Sequence, residues 1–371
     1  MFVNQARLPH LLKPKQYFDQ EVFEHEKRSA FAGVWHFVGT ATELAKSGDF
    51  LTTNILGTPV QVRNFNGQIR ALSNVCAHRH AIICSLPSGN TPTMRCQYHG
   101  WEYRQDGRTG RIPEPKNFVP FDKSVCLPSF AVEQVGQLVF VNLSSDPKSL
   151  RDFFGSDYYA MLGDKFGDEW TLTLKWHPSY PVNWKIPIEN SLEAYHVPAV
   201  HPKTFQEDPG DDRSEHELLS NRTAFKTTLP FAPHSRVQST LQRFENRIMR
   251  WFGQVPTNMY SQHHVFPHTM FSFTDALSLC HSVIPTGPST SCGVIRQFAR
   301  LPRSSNPLMR VFARTWGFFG SSIAKKIMTE DLGMFANIQS GLNASQQPGM
   351  LGRCEERIHS FQEFLTRTEP T

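Results

Sequence analysis

The sequence lacks several features that would place it in a specialised class of protein. It has no run of about 20 apolar residues, the length that a membrane-spanning helix needs, and Met1–Arg7 lacks the apolar core of a signal peptide. It has no internal repeat, and its net charge of +5 is dispersed along the chain, which argues against a nucleic-acid-binding surface. We therefore expect a cytoplasmic protein that binds neither membranes nor nucleic acid.

Cysteine is also scarce, with seven in 371 residues. An odd number of cysteines in a long chain does not favour a disulfide framework. Apolar residues make up 39% of the chain and charged residues 19%, as in ordinary globular proteins with room for two domains. Five cysteines are expected to be buried thiols without a ligand role: Cys84, Cys126, Cys280, Cys292 and Cys354.

Two short motifs each pair one cysteine with one histidine. One residue separates Cys76 from His78, two separate Cys96 from His99, and the motifs lie seventeen residues apart. A Rieske [2Fe–2S] cluster uses two Cys on one iron and two His on the other. A structural zinc site also accepts two Cys and two His, but it usually pairs like with like along the chain. The mixed pairs favour the Rieske cluster and leave a zinc-stabilised module as the alternative.

A second candidate metal site lies in residues 183–202. His196 and His201 are five residues apart, which on a straight helix places them about 140° apart around the axis. Pro198 prevents a regular helix through His201, so the chain has to bend and both imidazoles can face one ion. Two ordinary histidines beside a helix end are the alternative interpretation.

A carboxylate on a later predicted helix can complete this second site. Asp331 lies next to the apolar side of that helix, where it can reach inward, and Glu330 is the fallback. Two His and one carboxylate with open positions form the facial triad of mononuclear non-haem Fe(II) oxygenases. A solvated helix carboxylate is the alternative for Asp331.

The pattern of apolar residues predicts an all-β unit followed by a mixed one. Residues 14–34 have helical spacing with Asp19 as N-cap, and residues 36–145 read as short strands, with Asn66-Gly67 as a hairpin turn. Antiparallel strands with helices packed on them are typical of an α+β domain. Later predicted elements are a helix at 150–162, strands at 170–184, 221–229, 258–274, 277–285 and 292–300, a polar loop at 204–217, and helices at 306–343 and 354–367.

With these two sites, the chain resembles the catalytic α subunit of Rieske non-haem iron oxygenases, the ring-hydroxylating oxygenases, over nearly its whole length. The resemblance implies an α+β fold with an all-β Rieske [2Fe–2S] domain at 36–147. This domain is inserted into a helix-grip catalytic domain of antiparallel sheet and helices, formed by 1–35 and 148–371. The implied cluster ligands are Cys76, His78, Cys96 and His99, and the implied iron ligands are His196, His201 and Asp331.

The resemblance also implies partners. Such oxygenases are typically homotrimers, in which the cluster of one subunit reduces the iron of its neighbour through a bridging acidic residue. Glu193 stands at the matching position, and a surface glutamate is the alternative. Because no flavin or nicotinamide motif is present, electrons from NAD(P)H require a separate reductase of flavin or ferredoxin type. Basic residues near the cluster loops are candidates for docking it: Arg79, His80, Arg95, Arg104, Arg108, Arg111 and Lys116.

Two positions depart from the dioxygenases of aromatic hydrocarbons. Those enzymes carry Asp four residues after an active-site Asn, whereas Glu193 follows Asn190 by three, which is similar to the oxygenases that act on glycine betaine and carnitine. His80 stands where the family usually has Gly, and we expect a shifted loop that still holds the cluster. Asn190 and Tyr195 are expected beside the iron, with packing as the alternative.

We therefore predict an oxidoreductase, the terminal oxygenase that activates O2 at Fe(II) to hydroxylate or oxidatively demethylate a small polar substrate. A quaternary ammonium compound is the leading candidate for that substrate. The first alternative is an aromatic-ring hydroxylating mono- or dioxygenase, and a less favoured one is a Rieske electron-transfer protein without catalysis. The segment Tyr260–Phe273, which contains Phe266, His268, Phe271 and Phe273, is expected to form a pocket wall that holds either a cation or a ring. Plain core is the alternative for most of these Phe.

Overall fold

The computed structural model describes residues 1–120, 125–303 and 306–368, and the chain divides into two compact units. The smaller unit is the continuous segment Gly33–Gly167, and the larger unit combines Met1–Ala32 with Asp168–Thr371. Within the described ranges no helix combines the length and the apolar character that crossing a bilayer requires. The α+β class predicted from the sequence is confirmed.

An antiparallel sheet forms the body of the smaller unit. Its strands, in spatial order, are His36–Thr40, Leu138–Asn142, Ser129–Val135, Gln68–Ser73, Thr58–Phe65, Asp49–Ile55 and Ser88–Asn90. Asn66 and Gly67 form the predicted hairpin turn with φ of 53° and 90°, a conformation that Asn-Gly favours. Buried aliphatic side chains fill the interior: Val38, Leu51, Val60, Val62 and Val139.

A second core of the smaller unit supports the two cluster loops. One loop lies at the tip of a small hairpin, Met94–Arg95 paired with Glu102–Tyr103, and the other follows the strand Gln68–Ser73. The buried residues of this core are Leu72, Cys76, Ile83, Met94, Cys96, Trp101, Tyr103 and Leu127. Both cysteines are therefore part of one packed cluster.

Residues 148–167 group with the smaller unit, whereas the sequence analysis assigns them to the catalytic domain at 148–371. Two helices occupy this segment: Leu150–Phe154 and Ser156–Lys165. Phe154 packs on Phe140 of the sheet with ring centroids 5.5 Å apart. This long-range packing, which local composition does not reveal, is why the structural division falls at residue 167.

The larger unit is built on a second antiparallel sheet. Its strands, in spatial order, are Trp170–Trp176, Thr290–Arg300, Leu277–Gly287, Thr269–Phe273, Met259–Val265, Arg222–Thr228 and Ser214–Leu218, and Ser179–Tyr180 also pairs with Thr290–Arg300. Its helices are Gln20–Arg28, Lys185–Ser191, Val197–Val200, Gly210–Arg213, Arg236–Trp251, Pro307–Ala344 and Glu356–Thr368.

Some predicted elements differ from the observed ones. The helix predicted for residues 14–34 spans only Gln20–Arg28, although Asp19 is its N-cap as predicted. The polar loop predicted for residues 204–217 includes most of the strand Ser214–Leu218. The thiols expected to be buried divide by exposure: Cys280 is buried, Cys84, Cys292 and Cys354 are partly buried, and Cys126 is exposed.

The long helix Pro307–Ala344 lies directly on the second sheet. A Cβ atom at Gly317 would clash with the side chains of Ala299 and Thr173, so this close approach depends on glycine. Because the helix is fixed there, its later turns carry Asp331 to a defined place beside the sheet.

A buried ion pair fixes the segment that leads to the predicted iron ligands. Lys185 Nζ lies 2.6 Å from Glu26 Oε1, and Trp184 Nε1 donates to the other oxygen of Glu26 at 2.8 Å. Breaking one partner of such a pair leaves an uncompensated buried charge. The N-terminal helix therefore holds the helix Lys185–Ser191 in position.

Candidate metal centres and substrate cavity

The two loops that carry the Cys–His motifs have the same backbone hydrogen bonds. In each loop the cysteine carbonyl accepts from the amide four residues later, from His80 to Cys76 at 2.9 Å and from Gly100 to Cys96 at 3.0 Å. His80 and Gly100 both have positive φ, 58° and 73°, a conformation that suits glycine. His80 takes this left-handed conformation itself, so its loop keeps the same hydrogen bonds as the Gly100 loop.

The cysteines lie at the buried end of these loops and the histidines nearer the surface. Cys76 and Cys96 are each 2% exposed, whereas His99 is exposed and His78 is partly buried. The two imidazole rings are 4.8 Å apart, and the buried His78 Nδ1 has no hydrogen-bond partner in the described part of the chain. Two thiols, two neighbouring imidazoles and a free ring nitrogen fit a Rieske cluster.

Two aromatic residues that the sequence analysis does not single out support the cluster loops. Trp101 stacks on His78 with ring centroids 4.8 Å apart. Tyr103 Oη accepts from Ala77 N at 3.0 Å, so its own hydrogen is available to Cys76 Sγ, also 3.0 Å away. Hydrogen bonds to ligating sulfurs tune the potential of an iron–sulfur cluster. The motif identifies ligands only, and it carries no signal for these neighbours.

His196 and His201 turn toward each other, as the bend at Pro198 predicts. The short helix Val197–Val200 lies between them, and their ring centroids are 5.4 Å apart. Asp331 Oδ1 lies 3.0 Å from His201 Nε2 and 3.5 Å from His196 Nε2. One possible ligand atom from each of these residues lies within 4.8 Å of the other two. The structure therefore brings the three predicted iron ligands together.

These three side chains face a common point rather than bond to one another. Asp331 Oδ1 is buried and has no hydrogen-bond partner among the described residues, although two imidazole nitrogens lie nearby. Leaving a buried carboxylate oxygen unpaired is costly, and a cation between the side chains removes that cost. Two imidazoles and one carboxylate are the donor set that mononuclear non-haem Fe(II) takes, so the residues fit this metal.

The far nitrogen of each imidazole bonds to a second carboxylate. Glu193 accepts from His196 Nδ1 and also from His196 N at 3.0 Å, and Glu330 Oε2 accepts from His201 Nδ1 at 2.8 Å. An ionised carboxylate can only accept, so each Nδ1 carries the hydrogen. Each Nε2 therefore presents its lone pair toward the metal position.

Glu330 and Asp331 contact opposite nitrogens of one ring, that of His201. The sequence analysis has Glu330 as an alternative ligand, and the structure places it behind the ring instead. Burial lowers the pKa of His201, but the Asp331 and Glu330 carboxylates outweigh this and raise it above its ordinary value. The same negative charges favour a bound cation in place of the proton.

A cavity of about 290 Å³ lies beside the three ligands. Its lining includes nine Phe and Tyr side chains: Phe2, Tyr180, Tyr195, Phe205, Phe225, Phe231, Tyr260, Phe273 and Phe335. His196, His201 and Asp331 belong to the same wall, so a molecule in the cavity lies against the metal position. This size suits a small organic molecule.

The segment Tyr260–Phe273 forms part of the cavity wall, as predicted, through Tyr260, Gln262, Met270, Ser272 and Phe273, but most of the aromatic side chains expected there are core. Phe273 lines the cavity, but Phe271 is fully buried and packs in the core. Phe266 packs on Phe364 with centroids 5.0 Å apart, and His268 likewise lies in the aromatic core. Large aromatic side chains on a covered sheet are more often core than lining.

Asn190 and Tyr195, the remaining predicted site residues, both line the cavity, and Tyr195 is 69% exposed. His281 and Arg357 line it too, and the sequence analysis misses both. Burial lowers the pKa of His281 to about 4 and that of Arg357 to about 10. At neutral pH the cavity therefore contains a neutral imidazole and a charged guanidinium.

Two family patterns match the chain over separate ranges. The pattern described as the Rieske [2Fe-2S] domain matches residues 34–131. The pattern described as the ring hydroxylating alpha subunit (catalytic domain) matches residues 167–368. The first range contains both cluster loops, and the second contains the three clustered ligands and the cavity.

Two relatives and one crystal structure illustrate the similarity. The oxygenase subunit of glycine betaine monooxygenase from Chromohalobacter salexigens is 33% identical over 208 residues, 54% of this chain and 45% of that protein. The α subunit of 2-aminobenzenesulfonate 2,3-dioxygenase from Alcaligenes sp. is 34% identical over 193 residues, 50% of this chain and 49% of that protein. The chain thus spans about half the length of these relatives.

The crystal structure is that of the quaternary ammonium Rieske monooxygenase CntA in complex with L-carnitine. It superimposes with a TM-score of 0.74 at 21% identity, covering 98% of this chain and 96% of that one. At this identity the similarity shows a shared fold.

Proposed function

Since the chain belongs to the family of ring-hydroxylating α subunits and carries a Rieske [2Fe–2S] domain, we propose that it is the terminal component of a Rieske-type oxygenase. It activates O2 at a mononuclear Fe(II) and hydroxylates or oxidatively demethylates a small organic molecule. The observation that carries this proposal is the meeting of His196, His201 and Asp331 in the wall of an aromatic cavity. A Rieske electron carrier has no use for such a cavity.

The residue roles follow from the contacts. His196, His201 and Asp331 hold the iron, which when bound supplies open positions for dioxygen chemistry. Glu193 and Glu330 fix the tautomer and direction of the two imidazoles. The residues that hold the cluster in this proposal are Cys76, His78, Cys96 and His99.

The proposed assembly is a homotrimer supplied by a separate reductase in the cytoplasm. Glu193 already bonds His196, and His99 is exposed, so His99 of one subunit is available to Glu193 of a neighbour. A carboxylate bonded to an imidazole at each end orients both rings and gives the electron a hydrogen-bonded route.

Substituting Glu193 tests that route. We expect Glu193→Gln to retain the cluster and the trimer and, with Fe(II) in excess, the mononuclear iron, but to slow substrate-dependent O2 consumption by at least about tenfold, the lower bound for loss of such an outer carboxylate. Iron content, visible absorption and size-exclusion chromatography serve as controls. Turnover at the wild-type rate would remove Glu193 from the electron route.

For the substrate, we propose a small polar molecule, with a quaternary ammonium compound as the first candidate. The aromatic wall of the cavity supports this choice, because aromatic faces attract quaternary ammonium groups. The similarity to glycine betaine monooxygenase supports it as well. The second candidate is hydroxylation of an aromatic ring, which the similarity to 2-aminobenzenesulfonate 2,3-dioxygenase favours.

A substrate screen separates the two candidates. The holoprotein is combined with a surrogate reductase and NAD(P)H, and O2 uptake is recorded with betaines and with aromatic acids. Formaldehyde release marks demethylation, and hydroxylated ring products mark the second candidate. If O2 uptake depends on neither class, and no mononuclear iron is bound, the proposed function is wrong.

A further inference from the structure

Arg357 is a buried cation in the cavity wall. It lies at the start of the helix Glu356–Thr368, is 2% exposed and lines the cavity. Its Nη1 donates to Gln262 Oε1 at 3.0 Å, and its Nη2 donates to Ser191 O at 3.4 Å. Its Nε has no hydrogen-bond partner in the described ranges. Both acceptors are neutral, and the second bond is long.

The carboxylates near Arg357 are engaged with other groups. Glu356, the preceding residue, accepts from Val3 N at 2.9 Å and from Asn4 N at 2.7 Å, and it bonds His216 Nδ1 at 2.8 Å. Glu193 attracts Arg357 only from a distance, since it is bonded to His196.

No acidic side chain in the described part of the chain forms an ion pair with Arg357. Burial of a charge is costly unless an opposite charge is adjacent. The intrachain contacts therefore leave the guanidinium incompletely compensated, next to a space that a small molecule can enter.

The surroundings hold the guanidinium in place. Its Cζ lies 5.1 Å from the centre of the Phe225 ring, and the Ser191 contact connects it to the end of the helix Lys185–Ser191. The chain continues from that helix to Glu193 and His196. A guanidinium that is fixed in this way suits the oxygens of a carboxylate or sulfonate, which match its planar donors.

We infer that Arg357 binds the anionic group, a carboxylate or sulfonate, of the substrate and so places the rest of that molecule against the aromatic wall beside the iron. This inference rests on the proposed function, because it takes the cavity to be the substrate site. The molecules named for the similar proteins, glycine betaine, 2-aminobenzenesulfonate and L-carnitine, all carry such a group. Arg357 is then a specificity residue that selects molecules with a carboxylate or sulfonate over analogues in which that group is uncharged.

Binding measurements with matched probes test the inference. Isothermal calorimetry of the holoprotein, without reductase and under nitrogen, compares four molecules that carry a carboxylate or sulfonate, called the anions below, with their amides or sulfonamides, called the neutral analogues because that group is uncharged in them. The four are 3-methylbenzoate, 2-aminobenzenesulfonate, glycine betaine and L-carnitine, of which the last two also carry a quaternary ammonium and so have no net charge. We expect at least one anion to bind about tenfold or more tightly than its neutral analogue, since a hydrogen bond to a charged group contributes about 1.5–3 kcal/mol.

Variants assign that preference to one residue. Arg357→Met should weaken the preferred anion by at least about tenfold and leave its neutral analogue nearly unchanged, and Arg357→Lys should retain part of the preference. Arg296→Met is the matched control, because Arg296 is also buried but contacts Ile295 O and His177. If Arg357→Met does not fold, Arg357→Gln keeps a hydrogen-bond donor and removes the charge, with the same expected loss.

Three results would overturn the inference. One is equal affinity for anion and neutral analogue in wild type, another is an equal loss of both in the Arg357 variants, and the third is no binding of any of the four anions. Because no turnover is needed, a protein that binds anions through Arg357 but consumes no O2 would refute the proposed function while leaving Arg357 as the anion-binding group of the cavity.

Discussion

The two proposed metal sites differ in what holds their proposed ligands. The cluster residues come from one stretch, Cys76 to His99, and backbone hydrogen bonds within each loop fix them. The proposed iron site joins segments far apart in sequence, since Glu330 follows His201 by 129 positions, and side-chain carboxylates orient its imidazoles.

This difference indicates which changes each site tolerates. Backbone bonds do not depend on side-chain identity, so the cluster loops should accept substitutions around the ligands. The iron site depends on the charge of particular acids, so single substitutions there should have large effects. Exposure differs as well, since His99 is exposed whereas His201 is buried.

The largest effect should come from Asp331→Ala. Without its carboxylate the iron site keeps two imidazoles, and we expect iron content to fall from about three to about two atoms per chain, with O2 consumption abolished. Metal analysis and the visible spectrum of the cluster measure both sites in one sample. Asp152→Ala, at a surface helix, is the control. A third iron retained in Asp331→Ala would show that the iron site does not depend on this carboxylate.

A smaller effect is expected from Glu330→Gln. An amide can present a donor as well as an acceptor, so it no longer fixes the His201 tautomer, and iron affinity should fall by about 10–100-fold. Titration of the iron-free protein with Fe(II) measures this change. Glu363→Gln, at an exposed helical acid that pairs with Arg367, should bind iron like wild type. Unchanged affinity in Glu330→Gln would show that the ring is held by other contacts.

Tyr103→Phe tests whether side-chain contacts matter less at the cluster site than at the iron site. The variant removes the hydroxyl beside Cys76 Sγ but no backbone bond, so the cluster should remain bound. Its reduction potential should fall, because the hydrogen bond stabilises the more negative reduced state. A redox titration measures the shift, and Tyr98→Phe on the exposed side of the same loops is the control. Loss of the cluster in Tyr103→Phe would mean that side chains hold this site too.

The smallest effect should come from His80→Gly. His80 has φ of 58°, and relieving a left-handed non-glycine residue should stabilise the smaller unit by about 1 kcal/mol. Gly100→Ala should act in the opposite direction, because its Cβ would also meet the Arg95 guanidinium. The temperature at which the cluster bleaches measures both. A lower temperature for His80→Gly would contradict the expectation.

Local signals were enough to predict two paired Cys–His loops, one hairpin turn and one bend. The Cys–His spacing, the turn at Asn66-Gly67 and the bend at Pro198 are all properties of a few consecutive residues. The pairing of His196 and His201 with Asp331 could not be predicted from local signals, because the helix that carries Asp331 meets the two histidines only after folding. The resemblance to a known family supplied that long-range pairing.

Long-range packing explains what could not be predicted. Arg357 and His281 have no motif of their own and reach the cavity from separate elements. The helix Arg236–Trp251 has no counterpart in the sequence analysis. Its Phe244 and Trp251 are half exposed, so the apolar residues of this segment do not indicate which side of the helix is buried. The helices Leu150–Phe154 and Ser156–Lys165 belong to the smaller unit because they pack on its sheet. The composition of this segment does not indicate which unit it joins.

The close contact at Gly317 means that a displacement of the helix Pro307–Ala344 at this point also displaces Asp331. Asp331 lies fourteen residues farther along, which corresponds to about 21 Å at the helical rise. A side chain added at Gly317 would lift the helix from Ala299 and Thr173 and swing both acids away from the His201 ring together. We therefore expect retention of the proposed iron to depend on a position outside its ligand set, and a Gly317→Val protein that keeps full iron occupancy would show that the helix flexes instead.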